Sequence, residues 1–179
     1  MVTDMSFSPV ASDTMICGPR DSRHMTEKPE PLNDGVRRSM KSNKGKGTSP
    51  ELKVRKALRD AGHPGYRLNW RKAPGKPDIC YPGRRVAVFV QGCFWHRCPR
   101  CNLPAPKHNA EFWEAKFKRN VERDAEKREL LIAGGWTVID LWECDLKKDF
   151  EETMRPVTEL LDSRPPRGKK RVGTESDGE

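Results

Sequence analysis

Asp78-Ile79-Cys80-Tyr81, Pro82-Gly83-Arg84-Arg85 and Val86-Ala87-Val88-Phe89-Val90 read in succession as strand, turn and strand. Turn-forming residues flanked by β-branched and aromatic runs are the pattern of a hairpin. Val86–Val90 is apolar at every position, and a strand apolar on both faces belongs in the interior of a sheet. If the four turn residues close the loop, Tyr81 faces Val86 and Asp78 faces Phe89. That pairing sets the Asp78 carboxylate beside Val90-Gln91-Gly92. The chain then enters Gly92-Cys93-Phe94-Trp95-His96-Arg97-Cys98-Pro99-Arg100-Cys101, which is dense in metal ligands, aromatic rings and one imidazole.

Upstream, Thr48-Ser49-Pro50-Glu51 is a helix start. Thr or Ser caps, Pro fits the first turn, and Glu51 completes a capping box. Val54, Leu58 and Ala61 follow at helical spacing, and Gly62 ends the helix. Downstream, residues 111–133 predict a long helix with Trp113, Phe117, Val121 and Ala125 as its apolar stripe. Gly134-Gly135 stops it. Trp136–Leu141 predicts a third strand. Leu146–Leu161 predicts a final helix, broken before Pro156. The order is helix, hairpin, helix, strand, helix. The expected fold class is α/β, a mixed sheet flanked by helices.

The 179 residues fit one domain with loose ends. We expect a disordered leader over 1–35, a folded body over 36–162 and a disordered tail over 163–179. The apolar run at Val86–Val90 is far too short to span a bilayer, and no secretory signal is evident, so a cytoplasmic location is expected. Charge is concentrated: residues 36–120 carry 21 basic and five acidic side chains, net +16 of a chain total of +9. A field of that size attracts polyanions and speeds their encounter, which favours nucleic acid over a merely solvated basic surface.

Six cysteines in a cytosolic chain are rarely disulfides. Cys98-x2-Cys101 has zinc-knuckle spacing, Cys93 lies just upstream, and Cys144 can arrive at the end of the third strand. Four tetrahedral sulfur ligands suit a closed structural zinc site. The alternatives are reduced core cysteines, or His96 or His108 standing in for Cys93 or Cys144. On residue type alone, His96 reads as a ligand before it reads as a base.

The stretch from Arg38 to Cys144 resembles the very short patch repair (Vsr) endonucleases. The resemblance is carried by Ser49-Pro50-Glu51-Leu52 with Val54-Arg55, by Pro74-Gly75-Lys76-Pro77-Asp78-Ile79, and by Val88-Phe89-Val90-Gln91-Gly92-Cys93-Phe94-Trp95-His96. It continues through Glu111-Phe112-Trp113, Asn120-x3-Asp124, Gly135-Trp136-Thr137-Val138-Ile139 and Trp142-Glu143-Cys144.

The resemblance implies a restriction-endonuclease-like fold with a structural zinc. It implies a Mg²⁺-dependent enzyme that nicks one strand of double-stranded DNA, 5′ to the thymine of a T·G mismatch. It also implies a functional link to a cytosine-5 methyltransferase and action as a monomer, nucleoid-associated when bound to DNA.

Residue by residue, Asp78 matches the metal-binding aspartate, with the Val90 main-chain carbonyl as a second hard donor. His96 matches the histidine that activates water, and Asp124 the carboxylate that orients it. Glu51 matches a helix-start glutamate that contacts water around the metal. Phe94, Trp95 and Trp113 match aromatic wedges that stack into the duplex at the mismatch, where unstacking costs least. Met40 is matched to a contact from the opposite groove.

Each role has a bland counterpart. Asp78 also suits a turn, Asp124 a solvated charge run, Glu51 a cap and Trp113 a core stripe. Gln91 departs from the family's common His or Asp and cannot donate a proton as an acid. Cys98 replaces a common histidine ligand. The second carboxylate and the lysine of the wider nuclease superfamily are missing after Asp78. Arg37, Arg38, Lys41, Lys44 and Lys46 are expected to clamp phosphates and to order on binding. Three rival readings are a related restriction or defence nuclease without mismatch selectivity, a non-catalytic zinc DNA-binding module, and a purely structural zinc protein, against which the +16 block speaks.

Overall fold

The hairpin forms in the expected register. The computed structural model describes residues 30–42 and 45–165, the Met40 side chain excepted. Strands β2 (Ile79–Tyr81) and β3 (Val86–Gln91) pair antiparallel, with Tyr81 opposite Val86 and Ile79 opposite Val88. The turn closes through Arg84 N–H to the Tyr81 carbonyl at 3.1 Å. β4 (Thr137–Trp142) pairs parallel to β3, from Val86 opposite Thr137 to Gln91 opposite Trp142. β1 (Arg67–Leu68) adds an antiparallel edge, giving the order β1-β2-β3-β4 with β3 inside. The two-residue β1 has too little pattern to stand out in the sequence.

Alternation along β3 builds two cores, because successive side chains of a strand point to opposite faces. Val86 and Val88 join Val54 and Leu58 of α2 (Ser49–Asp60) and Met154, Val157 and Leu161 of α5 (Phe150–Ser163). Ala87 packs on the other face with Leu131 of α3 (Ala110–Ala133) and with Ala73, and Phe89 leans on the same cluster. Helices therefore cover both faces of a mixed sheet. Burying one such Val or Leu stabilises the fold by about 1.5–3 kcal/mol.

α3 ends as its sequence predicts. Trp136 N–H reaches the Leu131 carbonyl at 3.0 Å and Gly135 N–H reaches Ile132 at 2.9 Å, with Gly135 at φ +73°. That is the Schellman pattern, and its left-handed position suits glycine.

Two expectations are corrected. The buried face of α3 is not Trp113, Phe117, Val121 and Ala125, because Val121 and Ala125 are exposed. Steps of four residues overshoot a 3.6-residue turn and drift off the face. The inward positions alternate steps of four and three, at Trp113, Phe117, Asn120, Asp124, Lys127 and Leu131. The last helix does not break at Pro156. It divides at Asp149, between α4 (Glu143–Lys148) and α5, with Pro156 inside α5. Asp149 caps α5 by accepting the Glu152 N–H at 3.0 Å, and continuity through Pro156 keeps Met154, Val157 and Leu161 on one buried face.

Part of the basic segment is helical. α1 (Asp34–Ser42) carries Arg37, Arg38, Met40 and Lys41 and crosses the expected boundary at residue 36. Its start is fixed by Asn33 Oδ1, which accepts the Val36 N–H at 2.9 Å. Lys44 and almost all of the expected leader and tail lie outside the described residues.

Candidate active site

The hairpin register delivers Asp78 as expected. It stands one residue before β2, and its Oδ2 accepts the Val90 N–H at 2.9 Å. Burial pushes its carboxyl above the ordinary range. The Val90 hydrogen bond opposes that rise and the nearby Glu51 carboxylate reinforces it.

Glu51 is 4% exposed and fully engaged. Oε1 accepts the Thr48 hydroxyl at 3.0 Å and the Thr48 N–H at 3.4 Å. Oε2 accepts the Gly47 N–H at 2.9 Å and Arg55 Nη2 at 2.8 Å. A carboxylate has about four acceptor sites, so a water could be held only by releasing one of these donors. The Thr48 N–H is the longest of the four bonds.

His96 comes from the bend after β3, where its N–H bonds the Gly92 carbonyl at 3.1 Å. Its Nδ1 meets Asp124 Oδ2. Asp124 lies on the inward stripe of α3 that the sequence reading missed. Burial alone would raise its carboxyl, but the His96 hydrogen bond and charge, with Lys127 Nζ at 3.2 Å, hold it below the usual range. An ionised partner at Nδ1 favours the Nδ1–H tautomer and leaves the Nε2 lone pair for proton transfer. Two further members of that stripe steady the pair. Asn120 Nδ2 donates to the Trp95 carbonyl at 3.0 Å, and Lys127 holds the second Asp124 oxygen. The four-three spacing was the signal that could have found them.

Glu51, Asp78, Val90, His96 and Asp124 all line one cleft of about 720 Å³. Gln91 lines it too, and its Nε2 leans toward Asp140 Oδ1 at 3.4 Å. Asp140 in turn pairs with Arg128.

The sulfurs of Cys93, Cys98, Cys101 and Cys144 lie within 4.8 Å of one another. The parallel register explains this. Gln91 pairs with Trp142, so Cys93 and Cys144, each two residues beyond, stand side by side. Cys98 and Cys101 fold back over them, and Arg100 fastens the knuckle to Asp145 of α4. Sulfur–metal bonds of about 2.3 Å in a tetrahedron imply S···S distances of about 3.8 Å, and Cys98 to Cys144 is 3.7 Å. The cluster could hold one metal ion. Burial pushes the Cys93 thiol up to about 12. Cys98 also feels burial, but the Cys101 and Arg100 N–H groups and the neighbouring sulfurs bring it down to about 7. His96 is committed to Asp124, and neither it nor His108 belongs to the sulfur set.

Beside the cleft, Phe94, Trp95, Trp113 and Phe117 form an aromatic cluster with centroid separations of 5.1–6.0 Å. Phe94 and Trp95 are half-buried, whereas Trp113 is 7% exposed and serves as their bed. Lys116 Nζ lies over the Trp95 and Trp113 rings at 5.1 and 5.0 Å. Ser42 and Gly45, at the end of α1 and just after it, border the cleft; Arg37, Arg38, Lys41 and Lys46 are not among its lining residues.

The family model described as DNA mismatch endonuclease Vsr matches residues 33–102. The type II nicking enzyme V.NaeI of Lentzea aerocolonigenes is 41% identical over 138 residues, covering 74% of this chain and 80% of the relative. V.XorIIP of Xanthomonas oryzae is 40% identical over 108 residues, covering 60% and 78%. The DNA mismatch endonuclease Vsr of Escherichia coli K12 is 35% identical over 97 residues, covering 54% and 62%. With these likenesses beside the mixed sheet and its cleft, the chain belongs to the restriction-endonuclease-like Vsr family of DNA endonucleases.

Proposed function

We propose that this endonuclease nicks one strand of duplex DNA at a T·G mismatch, hydrolysing the phosphodiester 5′ of the thymine, as a Mg²⁺-dependent monomer of the cytoplasm. The observation that carries the reading is the convergence of Asp78 and the His96–Asp124 pair on one cleft. The resemblance supplies the mismatch, and the E. coli relative bears it in its name.

The donor set fits the hard cation. Asp78 is a carboxylate kept high by burial and by a second carboxylate, a situation that a dication relieves. Asp78 and the Val90 carbonyl would hold Mg²⁺, which when bound polarises the phosphate and stabilises charge on the leaving oxygen. His96 Nε2 takes a proton from the attacking water, and Asp124 stabilises the imidazolium and fixes the ring. Glu51 orients water by giving up the long Thr48 N–H bond. Phe94 and Trp95 wedge at the mismatch, backed by Trp113. α1 follows the duplex with Arg37, Arg38 and Lys41, with Lys46 beyond it, and Met40 and Lys44 are assigned DNA contacts from the sequence alone. Cys93, Cys98, Cys101 and Cys144 would hold a structural zinc, and the linked partner is a cytosine-5 methyltransferase.

Gln91 favours a second reading, a nuclease of a restriction system that does not select mismatches, and several relatives are named type II nicking enzymes. One assay separates the two. Full-length protein with Mg²⁺ is given matched and mismatched duplexes, and the cut is mapped. The repair reading expects cleavage at T·G, 5′ of the thymine, well above any matched duplex. Equal rates on both would remove it.

A further inference from the structure

Next to the cleft lies a second groove of about 510 Å³, lined by Arg71, Lys72, Lys76, Arg123 and Lys127 and by no carboxylate. Among the described residues, Arg71, Lys72 and Lys76 have no ion-pair partner. Like charges gathered in a concavity repel one another unless an anion lies between them.

The groove is built rather than incidental. The loop between β1 and β2 plugs Ala73, 3% exposed, into the core beside Leu131. Gly75 lies so close to α3 that a Cβ there would come within 2.6 Å of Lys127 Cβ and Cγ. The loop is thus pinned to α3, with its cations beside Arg123 and Lys127. Lys76 adopts φ +51°, an uncommon left-handed state for a residue with a side chain, and such strain gathers at functional positions. Lys76 stands two residues before Asp78, and Lys127 holds Asp124. Gly75, Lys76, Arg123 and Lys127 line both cavities.

We propose that this groove is a phosphate-tracking subsite, holding the backbone phosphates that flank the scissile one on the cleaved strand. It rests on the endonuclease reading of the adjoining cleft. Because the loop that presents Asp78 also carries the cations, gripping the flanking backbone sets the scissile phosphate against the carboxylate.

The test measures the affinity of full-length protein for a T·G duplex across a salt series, with magnesium withheld. For each phosphate that a variant no longer neutralises, the slope of log affinity against log salt should flatten by about 0.9. The double variant Arg71→Gln/Lys72→Gln, exposed at both positions, should therefore lose about 1.8 of slope. Lys76→Asn, which tolerates the left-handed backbone, should lose about 0.9. Lys53→Gln/Lys56→Gln removes equal charge from α2, at residues that line neither cavity, and should keep the wild-type slope. Uncharged methylphosphonates placed singly near the cut should weaken the wild type at a flanking position where the double variant loses nothing more. A wild type that nicks, with a double variant of unchanged slope or a control pair that flattens it equally, overturns the subsite and leaves the endonuclease standing. A wild type that nicks no duplex removes the endonuclease reading and the subsite with it.

Discussion

Asp78→Asn is expected to cut single-turnover nicking by about three powers of ten or more and to leave the protein as stable as the wild type, or more so. The first half follows from the donor set. An amide is a weaker metal ligand than a carboxylate, and the electrostatic assistance at stake is several kcal/mol, each 1.36 of which is tenfold in rate. The second half follows from burial. The folded carboxyl titrates above its ordinary 3.8, chiefly through desolvation and against the Val90 hydrogen bond. Between 3.8 and the folded value, the native state keeps a proton that the unfolded chain has released. Stability contributed by this group is therefore full below 3.8 and declines as pH rises through the folded value. Asparagine removes that penalty at neutral pH and can still accept the Val90 N–H. Nicking and thermal melting, measured on one preparation, check both halves. A variant that nicks normally, or one whose lost activity comes with a large drop in Tm, would argue against Asp78 as a metal ligand.

Cys144→Ala is expected to damage fold and activity together. Its sulfur joins the end of β4 to Cys93 at the end of β3 and to the Cys98–Cys101 knuckle. Loss of a structural metal is among the few single changes that cost about 4–5 kcal/mol or more. For a chain of this size that is about 10–20 °C in Tm. His96 lies inside the loop between Cys93 and Cys98, so losing the clamp frees the imidazole from Asp124 and nicking falls too. Metal analysis should give about one zinc per wild-type chain and far less in the variant. A metal-free variant that melts with the wild type would show the cluster to be ordinary packing.

What the sequence made legible was whatever follows from register and short spacing. The four-residue turn fixed Asp78 against Val90, and the CxxC with two strand ends fixed the sulfurs. What it hid depends on geometry over longer reach. The α3 stripe was misplaced because steps of four drift away from the buried face, and with it went Lys127 and the part Asn120 plays. Pro156 reads as a break because its lost hydrogen bond is visible in sequence, whereas the compensating burial of Met154, Val157 and Leu161 is tertiary. The full occupancy of Glu51 could not be foreseen either, since Arg55 and Gly47 reach it only once α2 and its leading loop are folded. The resemblance assigns His96 the part of a base where residue type alone favours a ligand; its Nδ1 meets Asp124, and it is not in the four-sulfur set.

That separation of imidazole from sulfur is the centre of the account, and His96→Ala tests it when nicking and zinc content are measured on the same protein. Loss of a general base costs about 10²- to 10⁴-fold in rate, so nicking of a T·G duplex should fall by that much while zinc stays at one per chain. Undiminished nicking, or zinc that departs with the imidazole, would contradict the assignment of His96 to the scissile phosphate.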